Sequence, residues 1–200
     1  MPKRNNAPFV TNGCSNHCSY DRASLDFYAT DPRAAKWLLK LEPNLSNNIW
    51  ECACGDLALS NVFTAAGKNV RNTDIVARKE GIEILDFLSC DTPMHGVDIV
   101  TNPPYNKAKE FVEKSISLID EGHYVCMFLK LTFLEGQGRR QLFKDYPPIR
   151  VWVSSARMGC YPNGIPDNLS ESKPSSSAVC YAWFIWQKGY KGFPELRWFN

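Results

Sequence analysis

The 200-residue sequence has no long apolar run. Its longest, Ala178 to Trp186, is nine residues, less than half of the roughly 20 that a membrane-spanning helix needs. The basic opening, Met-Pro-Lys-Arg-Asn-Asn, is not followed by the apolar stretch of a secretory signal, so the expected location is cytoplasmic. Paired cysteine motifs are also missing: the eight cysteines are scattered from Cys14 to Cys180, most of them inside apolar runs. They read as reduced core residues rather than a disulfide framework. The one cluster, Cys14-Ser-Asn-His17-Cys18, finds no second pair to complete a structural zinc site, so no metal is expected. No internal repeat is visible, and no low-complexity tract beyond Ser175-Ser176-Ser177.

Charge of one sign is lacking as well. The net charge is +2, which by itself selects no class of partner. Its distribution is less even: residues 1–100 carry −2 and residues 101–200 carry +4, and the stretch 130–157 alone accounts for +4. A basic second half is compatible with a polyanion, or equally with a solvated helix face.

What is present is apolar mass. With 44% hydrophobic residues, 12% aromatics and six tryptophans, the chain can bury a core large enough to offset its conformational entropy. Its length suits one domain, expected over residues 26–200 behind a polar, flexible arm at 1–25. Asp31-Pro32 opens a helix carrying Ala34, Trp37, Leu38 and Leu41 on one face. Strands are expected at 49–54, 70–75, near 81–84, at 97–101, 124–133, 149–154 and 179–186. Helices are expected at 57–66, 107–120 and 137–146. That alternation predicts an α/β three-layer sandwich around a mostly parallel seven-stranded sheet, ending in an antiparallel edge hairpin because no helix separates the last two strands. The Gly-, Pro-, Asn- and Ser-containing connection 155–178 reads as a long functional loop.

In such a sheet, ligands bind beyond the carboxyl ends of the strands. The first strand ends in Glu51 to Asp56, where one glycine, Gly55, turns the chain toward a helix N-terminus. The second ends in Asp74, 23 residues after Glu51, the interval at which dinucleotide-type folds place a ribose-binding acid. The third leads to Asp86-Phe87, an acceptor beside a flat apolar ring suited to adenine. The fourth runs into Asp98-Ile99-Val100-Thr101-Asn102-Pro103-Pro104-Tyr105. Two prolines there stiffen the backbone and remove two donors, Asn102 adds a side-chain acceptor and Tyr105 a planar face. The set suits a planar amino group held by two acceptors while its ring stacks on Tyr105.

The Asp98–Tyr105 segment resembles motif IV of the amino methyltransferases, S-adenosylmethionine-dependent enzymes that methylate exocyclic amino groups, most often adenine N6 in DNA. Phe27 to Pro32 is similar to their motif X, Trp50 to Asp56 to motif I, Thr73-Asp74-Ile75 to motif II and Asp86-Phe87-Leu88 to motif III; Lys130–Arg139 and Ala182–Trp186 resemble later core strands of short phage-type and bacterial adenine enzymes. The resemblance spans residues 25–192 in the gamma order. It implies a class I methyltransferase, Rossmann-like, in a bacterial or phage-infected cell. It further implies that Tyr28 and Thr30 close over the methionine part of S-adenosylmethionine. Glu51, Cys54 and Gly55 would line its methionine and ribose, Asp74 its ribose hydroxyls, and Asp86 and Phe87 its adenine. Asn102 would contribute to both sites, and Asn102, Pro103, Pro104 and Tyr105 would handle the target amine. One departure is Leu57, where the family usually has a second glycine; a Cβ there is expected to crowd the cofactor.

A duplex base must be flipped to reach such a site. Phosphate contacts are expected from Lys107, Arg139, Arg140, Arg157 and Lys173, with Lys109, Lys188, Lys191 and the rest of the basic 130–157 stretch as further candidates. The same tetrapeptide also suits RNA, cytosine N4 or a protein glutamine amide, and Leu57 leaves open a catalytically silent binding subunit. The catalytic core takes up nearly all of residues 26–200, leaving no separate target-recognition domain. The expected partner is therefore DNA, or RNA, read through loops or with help from a specificity partner or a homodimer.

Overall fold

The computed structural model of the chain describes residues 27–162, 164 and 179–200. The arm at 1–25, the Cys14/His17/Cys18 cluster and Lys173 lie outside the described residues.

The strands are β1 (Tyr28–Thr30), β2 (Asn48–Glu51), β3 (Asn69–Asp74), β4 (Glu83–Ile84), β5 (Val97–Thr101), β6 (Tyr124–Lys130), β7 (Arg150–Ser154), β8 (Cys160–Pro162), β9 (Tyr181–Gln187) and β10 (Glu195–Phe199). The helices are α1 (Pro32–Leu41), α2 (Ser60–Ala65), α3 (Ala108–Leu118) and α4 (Arg140–Asp145). Eight strands form one sheet in the order β10-β7-β9-β6-β5-β2-β3-β4, and β1 pairs with β8 in a separate ribbon. Seven of the eight are mutually parallel; β9 alone runs the other way, bonded to β6 on one side and β7 on the other.

The seven-stranded expectation is thus short by one. The antiparallel partner of β7 is inserted inside the sheet, and the edge belongs to β10. Four of the five residues of β10 are exposed, so it leaves no apolar signature in the sequence.

Period-two alternation with both faces covered explains the central strands. Trp50, Ile99, Met127 and Phe184 face α3 and α4, packing with Phe111, Val112 and Leu142. Their chain neighbours Ile49, Val100, Phe128 and Trp183 face α1 and α2, packing with Ala34, Leu38 and Phe63. α1 begins as its sequence requires: Asp31 caps it by accepting from the Arg33 amide at 2.9 Å, and Pro32 occupies the first turn.

The path of the chain locates the functional end. From β2 it runs outward through β3 to β4, then returns across to β5 on the other side of β2. The two half-sheets diverge at this switch point, leaving a crevice beyond the carboxyl ends of β2 and β5. Asp98, although part of the motif-like segment, lies at the other end of β5. There its carboxylate accepts from the Ser46 amide at 2.6 Å, the Tyr124 amide at 2.9 Å and pairs with His123 at 2.7 Å. It is a buried strut, remote from the crevice.

Candidate active site

A cavity of about 420 Å³ occupies the crevice, within the range of small-molecule sites. Its walls come from the ends of four parallel strands and from β1. Tyr28, Thr30, Glu51, Cys54, Gly55, Asp74, Asp86, Phe87 and Asn102 all line it, as does Pro104. Every residue assigned to the cofactor by resemblance is therefore brought together here.

Gly55 turns β2 toward α2 with φ of 56°, and a Cβ built on it would lie 2.5 Å from the Phe27 ring. Only glycine fits both the left-handed backbone and the close ring. Asp74 holds this turn: its carboxylate accepts from the Gly55 amide at 2.8 Å, the Val76 amide at 3.1 Å and the Arg78 guanidinium at 3.1 Å. Leu57 adopts φ of 68°, the conformation for which the family's glycine is suited. It is not among the residues lining the cavity, and the misfit that the structure shows at this position is one of backbone strain.

Glu51 is 2% exposed, and its carboxyl is pushed up to about 8, first by burial and further by the charges of Asp56 and Asp74, against the opposing hydrogen bond from Ser60. The Ser60 hydroxyl sits between Glu51 Oε2 and Asn72 Oδ1. One hydroxyl proton cannot serve two acceptors, so a protonated Glu51 donating to Ser60, with Ser60 donating to Asn72, satisfies all three. Burial likewise pushes the thiols of Cys52 and Cys54 upward, which keeps them protonated and unreactive.

Asp86 caps the short helix Phe87–Ser89, accepting from the Leu88 amide at 3.1 Å and the Ser89 hydroxyl at 2.9 Å, and remains exposed. Phe87 is committed to the core between Trp50 and Phe111, with ring centroids at 5.2 and 4.9 Å, and offers the cavity one edge. Lining residues that carried no assignment include Phe27, Ile75 and Arg78. Ile75 is 58% exposed, an apolar side chain left uncovered at a strand end. Arg78 stands four residues after Asp74, the spacing of their ion pair.

Asn102 stands where β5 ends. Its Nδ2 donates to Thr30 Oγ1 at 2.8 Å and approaches Cys160 Sγ at 3.6 Å. Its Oδ1 is buried without a hydrogen-bond partner among the described residues. Orphaned buried acceptors are uncommon, and this one is held in place by the donor end of the same amide. Pro103 is buried and does not line the cavity. Tyr105 lies outside the cavity lining, with Tyr28 at 5.9 Å, Tyr181 at 6.2 Å and the Lys130 ammonium 4.5 Å over its ring. Its hydroxyl is buried without a partner among the described residues, and burial drives its ionisation well above the usual range.

The basic residues divide. Lys107 lines the cavity mouth, while Arg140 and Arg157 are exposed. Arg139 is not available to a phosphate: its guanidinium is taken by the carbonyls of Phe133 at 2.8 Å, Thr132 at 3.1 Å and Glu135. Arg150 forms a two-pronged pair with Glu42 at 2.7 and 2.6 Å. Lys188 donates to the Ile119 carbonyl at 2.6 Å and Lys191 to that of Asp145 at 2.9 Å. Much of the positive charge of the second half therefore braces the fold. Among the described residues no helix is long and apolar enough to cross a membrane.

No family model matches the chain, and no curated protein matches it in sequence. Solved structures do. A protein assigned to the class I S-adenosylmethionine-dependent methyltransferases, from Listeria monocytogenes, is 12% identical with a TM-score of 0.54, covering 82% of this chain and 63% of its own. The type IIG restriction endonuclease BpuSI is 15% identical with a TM-score of 0.58, covering 82% of this chain but 26% of its own. A protein assigned as an RNA methyltransferase, from Pyrococcus horikoshii, is 12% identical with a TM-score of 0.56, covering 94% of this chain and 99% of its own. The chain thus spans less than two thirds of the first two. With the strand order, the reversed β9 and the crevice at the switch point already described, these likenesses establish that the chain has the class I, Rossmann-like methyltransferase fold.

Proposed function

We propose that the chain is an S-adenosylmethionine-dependent methyltransferase acting on the exocyclic N6 amino group of adenine in DNA. The observation that carries this reading is Asn102: an amide at the cavity wall whose donor end is bonded to Thr30 and whose acceptor end is buried without a hydrogen-bond partner among the described residues.

The cavity fits the cofactor. Its acidic residues Asp74 and Asp86 suit a ligand bearing a sulfonium and an ammonium, Ile75 and Phe87 suit a purine, and the space above Gly55 is one that a side chain would close. When bound, S-adenosylmethionine supplies an electrophilic methyl group. Glu51 and the Gly55 turn would hold its methionine and ribose region, Asp74 the ribose and Asp86 the adenine amino group. Asn102 Oδ1 would accept a hydrogen bond from the target amine and leave more electron density on its nitrogen. Because Nδ2 donates to Thr30, Oδ1 is the end of the amide left to accept. Direct attack by the amine needs no covalent enzyme intermediate.

A target base must also lie against Tyr105. A ring sandwiched between two others needs two contact distances of about 3.5 Å each, more than the 5.9 Å between Tyr28 and Tyr105. Tyr28, carried on the β1–β8 ribbon, must therefore move aside as the base enters. A second reading, RNA as substrate, is favoured by the nearly full-length overlap with the Pyrococcus protein assigned as an RNA methyltransferase.

The test is transfer of labelled methyl to separate DNA, RNA and protein pools, followed by nucleoside analysis. N6-methyladenine in the DNA pool is the expected product, and Asn102→Ala should abolish it while cofactor affinity is retained. Label confined to RNA or protein replaces the substrate, and label in no pool with retained nucleic-acid binding rejects the enzyme.

A further inference from the structure

The sheet has two edges, β4 and β10. On β10, Leu196 is 52% exposed and Trp198 62%, and Phe193, just ahead of the strand, is 93% exposed. Charge and proline ordinarily blunt natural edges against pairing; here Glu195, Arg197 and the preceding Pro194 supply both, yet the large apolar side chains between them stay uncovered, so a partner strand has to match the charges.

The hydrogen bonds of β10 fix which of its groups are free. The Glu195 amide donates to the Ile149 carbonyl and the Phe199 carbonyl accepts from Ser155, both at 3.0 Å. Residues 195, 197 and 199 therefore turn their peptide groups toward β7, and alternation turns those of Leu196 and Trp198 outward. The side chains of Leu196 and Trp198 sit beside Val151 and Val153 in the parallel register, extending the core face that α3 and α4 cover into solvent. Charge alternates along the same strand, with Glu195 and Arg197 paired at 2.5 Å.

We propose that β10 is a homodimer interface, on which a second copy of this chain adds its own β10 in antiparallel register about a two-fold axis at Leu196. Three features select that occupant and that register. Two-fold pairing centred on Leu196 places Leu196 opposite Leu196 of the second copy at a hydrogen-bonded position, using the outward peptide groups. It places Glu195 opposite Arg197 of the second copy, twice, at the closer non-hydrogen-bonded positions. It also brings Trp198 of both copies onto the face that carries Leu196. Centring one residue later would set Arg197 against Arg197, a like-charge pair that opposes association. The two eight-stranded sheets then continue as one, and both crevices lie away from the joint, at the ends of β2 and β5.

Sedimentation velocity on the full chain across a concentration series tests this. The wild-type chain is expected to dimerise. Glu195→Arg and Arg197→Glu, each alone, should raise the dimer dissociation constant about tenfold because the two-fold axis applies every change twice. The double exchange, Glu195→Arg with Arg197→Glu, should restore it. These positions are exposed, and unchanged far-UV circular dichroism confirms folding. Leu196→Cys should cross-link under oxidised glutathione, since opposed residues at a hydrogen-bonded position lie about 5.5 Å apart between Cα atoms. Arg197→Cys should not, with the wild-type chain and its exposed Cys180 as the blank. A wild-type chain monomeric throughout, single variants that dimerise like wild type, or cross-linking at 197 instead of 196 each overturn the proposal.

Discussion

Leu57 and Glu51 show two different ways in which a residue is strained by its place in a ligand crevice. At Leu57 the strain is in the backbone: φ of 68° costs a side-chain-bearing residue about 1–2 kcal/mol. Leu57→Gly removes that cost and adds some unfolded-chain entropy. The expected net gain is about 0.5–1 kcal/mol in urea unfolding, with cofactor affinity unchanged because Leu57 does not line the cavity. At Glu51 the strain is electrostatic. Its carboxyl is raised from 4.5 to about 8 in the folded chain, so between those values the folded form holds a proton that the unfolded form has released. Stability at this residue is therefore complete below pH 4.5, falls as pH rises to about 8 and is flat beyond. Glu51→Gln should show a melting-temperature advantage over wild type that grows across that window and levels off above it, while its affinity for S-adenosylmethionine, measured by calorimetry, declines. Thr30 tests the orientation of Asn102. Thr30→Val should reduce methyl transfer about tenfold, the worth of one hydrogen bond, with Thr30→Ser retaining it. A Thr30→Val variant whose loss lies in cofactor affinity alone would instead make Thr30 a simple cofactor contact.

Among the elements, β5 illustrates how a single strand carries two kinds of residue that look alike in sequence. Asn102 and Asp98 both belong to the stretch that reads as catalytic, yet they lie at opposite ends of the strand. Asp98 accepts from two amides and His123, and Asp98→Asn gives one of its oxygens up for a donor. Leaving a buried amide without an acceptor costs about 1–3 kcal/mol. The variant should unfold at correspondingly lower urea while its folded fraction binds cofactor normally; loss of binding with stability intact would return Asp98 to the site.

What was legible at this scale follows from burial. Strands β2, β5, β6 and β9 are covered on both faces, so their apolar runs announce them, and the acids Glu51, Asp74 and Asp86 at the ends of β2, β3 and β4 mark the crevice. β1 and β8 are three-residue strands that exist only because residues more than a hundred positions apart pair, Thr30 with Cys160 among them. Nothing local signals that. Nor does a count of charges reveal that Arg139 is taken up by three carbonyls, since carbonyl acceptors are present at every position. Tyr105 could be named from its place after two prolines, but not its 5.9 Å contact with Tyr28.

For the molecule as a whole, the insertion of β9 between β6 and β7 sets the order in which the sheet can be completed. β7 touches no strand that precedes it: its two neighbours in the sheet are β9 and β10, both later in the chain. As the polypeptide emerges during synthesis, residues 150–154 therefore wait without a partner, and β6 presents a bare edge, until residues 181–187 arrive and close both gaps together. The assembly resembles a keystone arch, in which the last stone placed is the one that lets the earlier ones bear load. A chain stopped at residue 178 would retain every residue of the crevice from Phe27 to Phe111 and still be expected to remain unfolded, because β6 keeps a bare apolar edge and β7 has no strand to pair with.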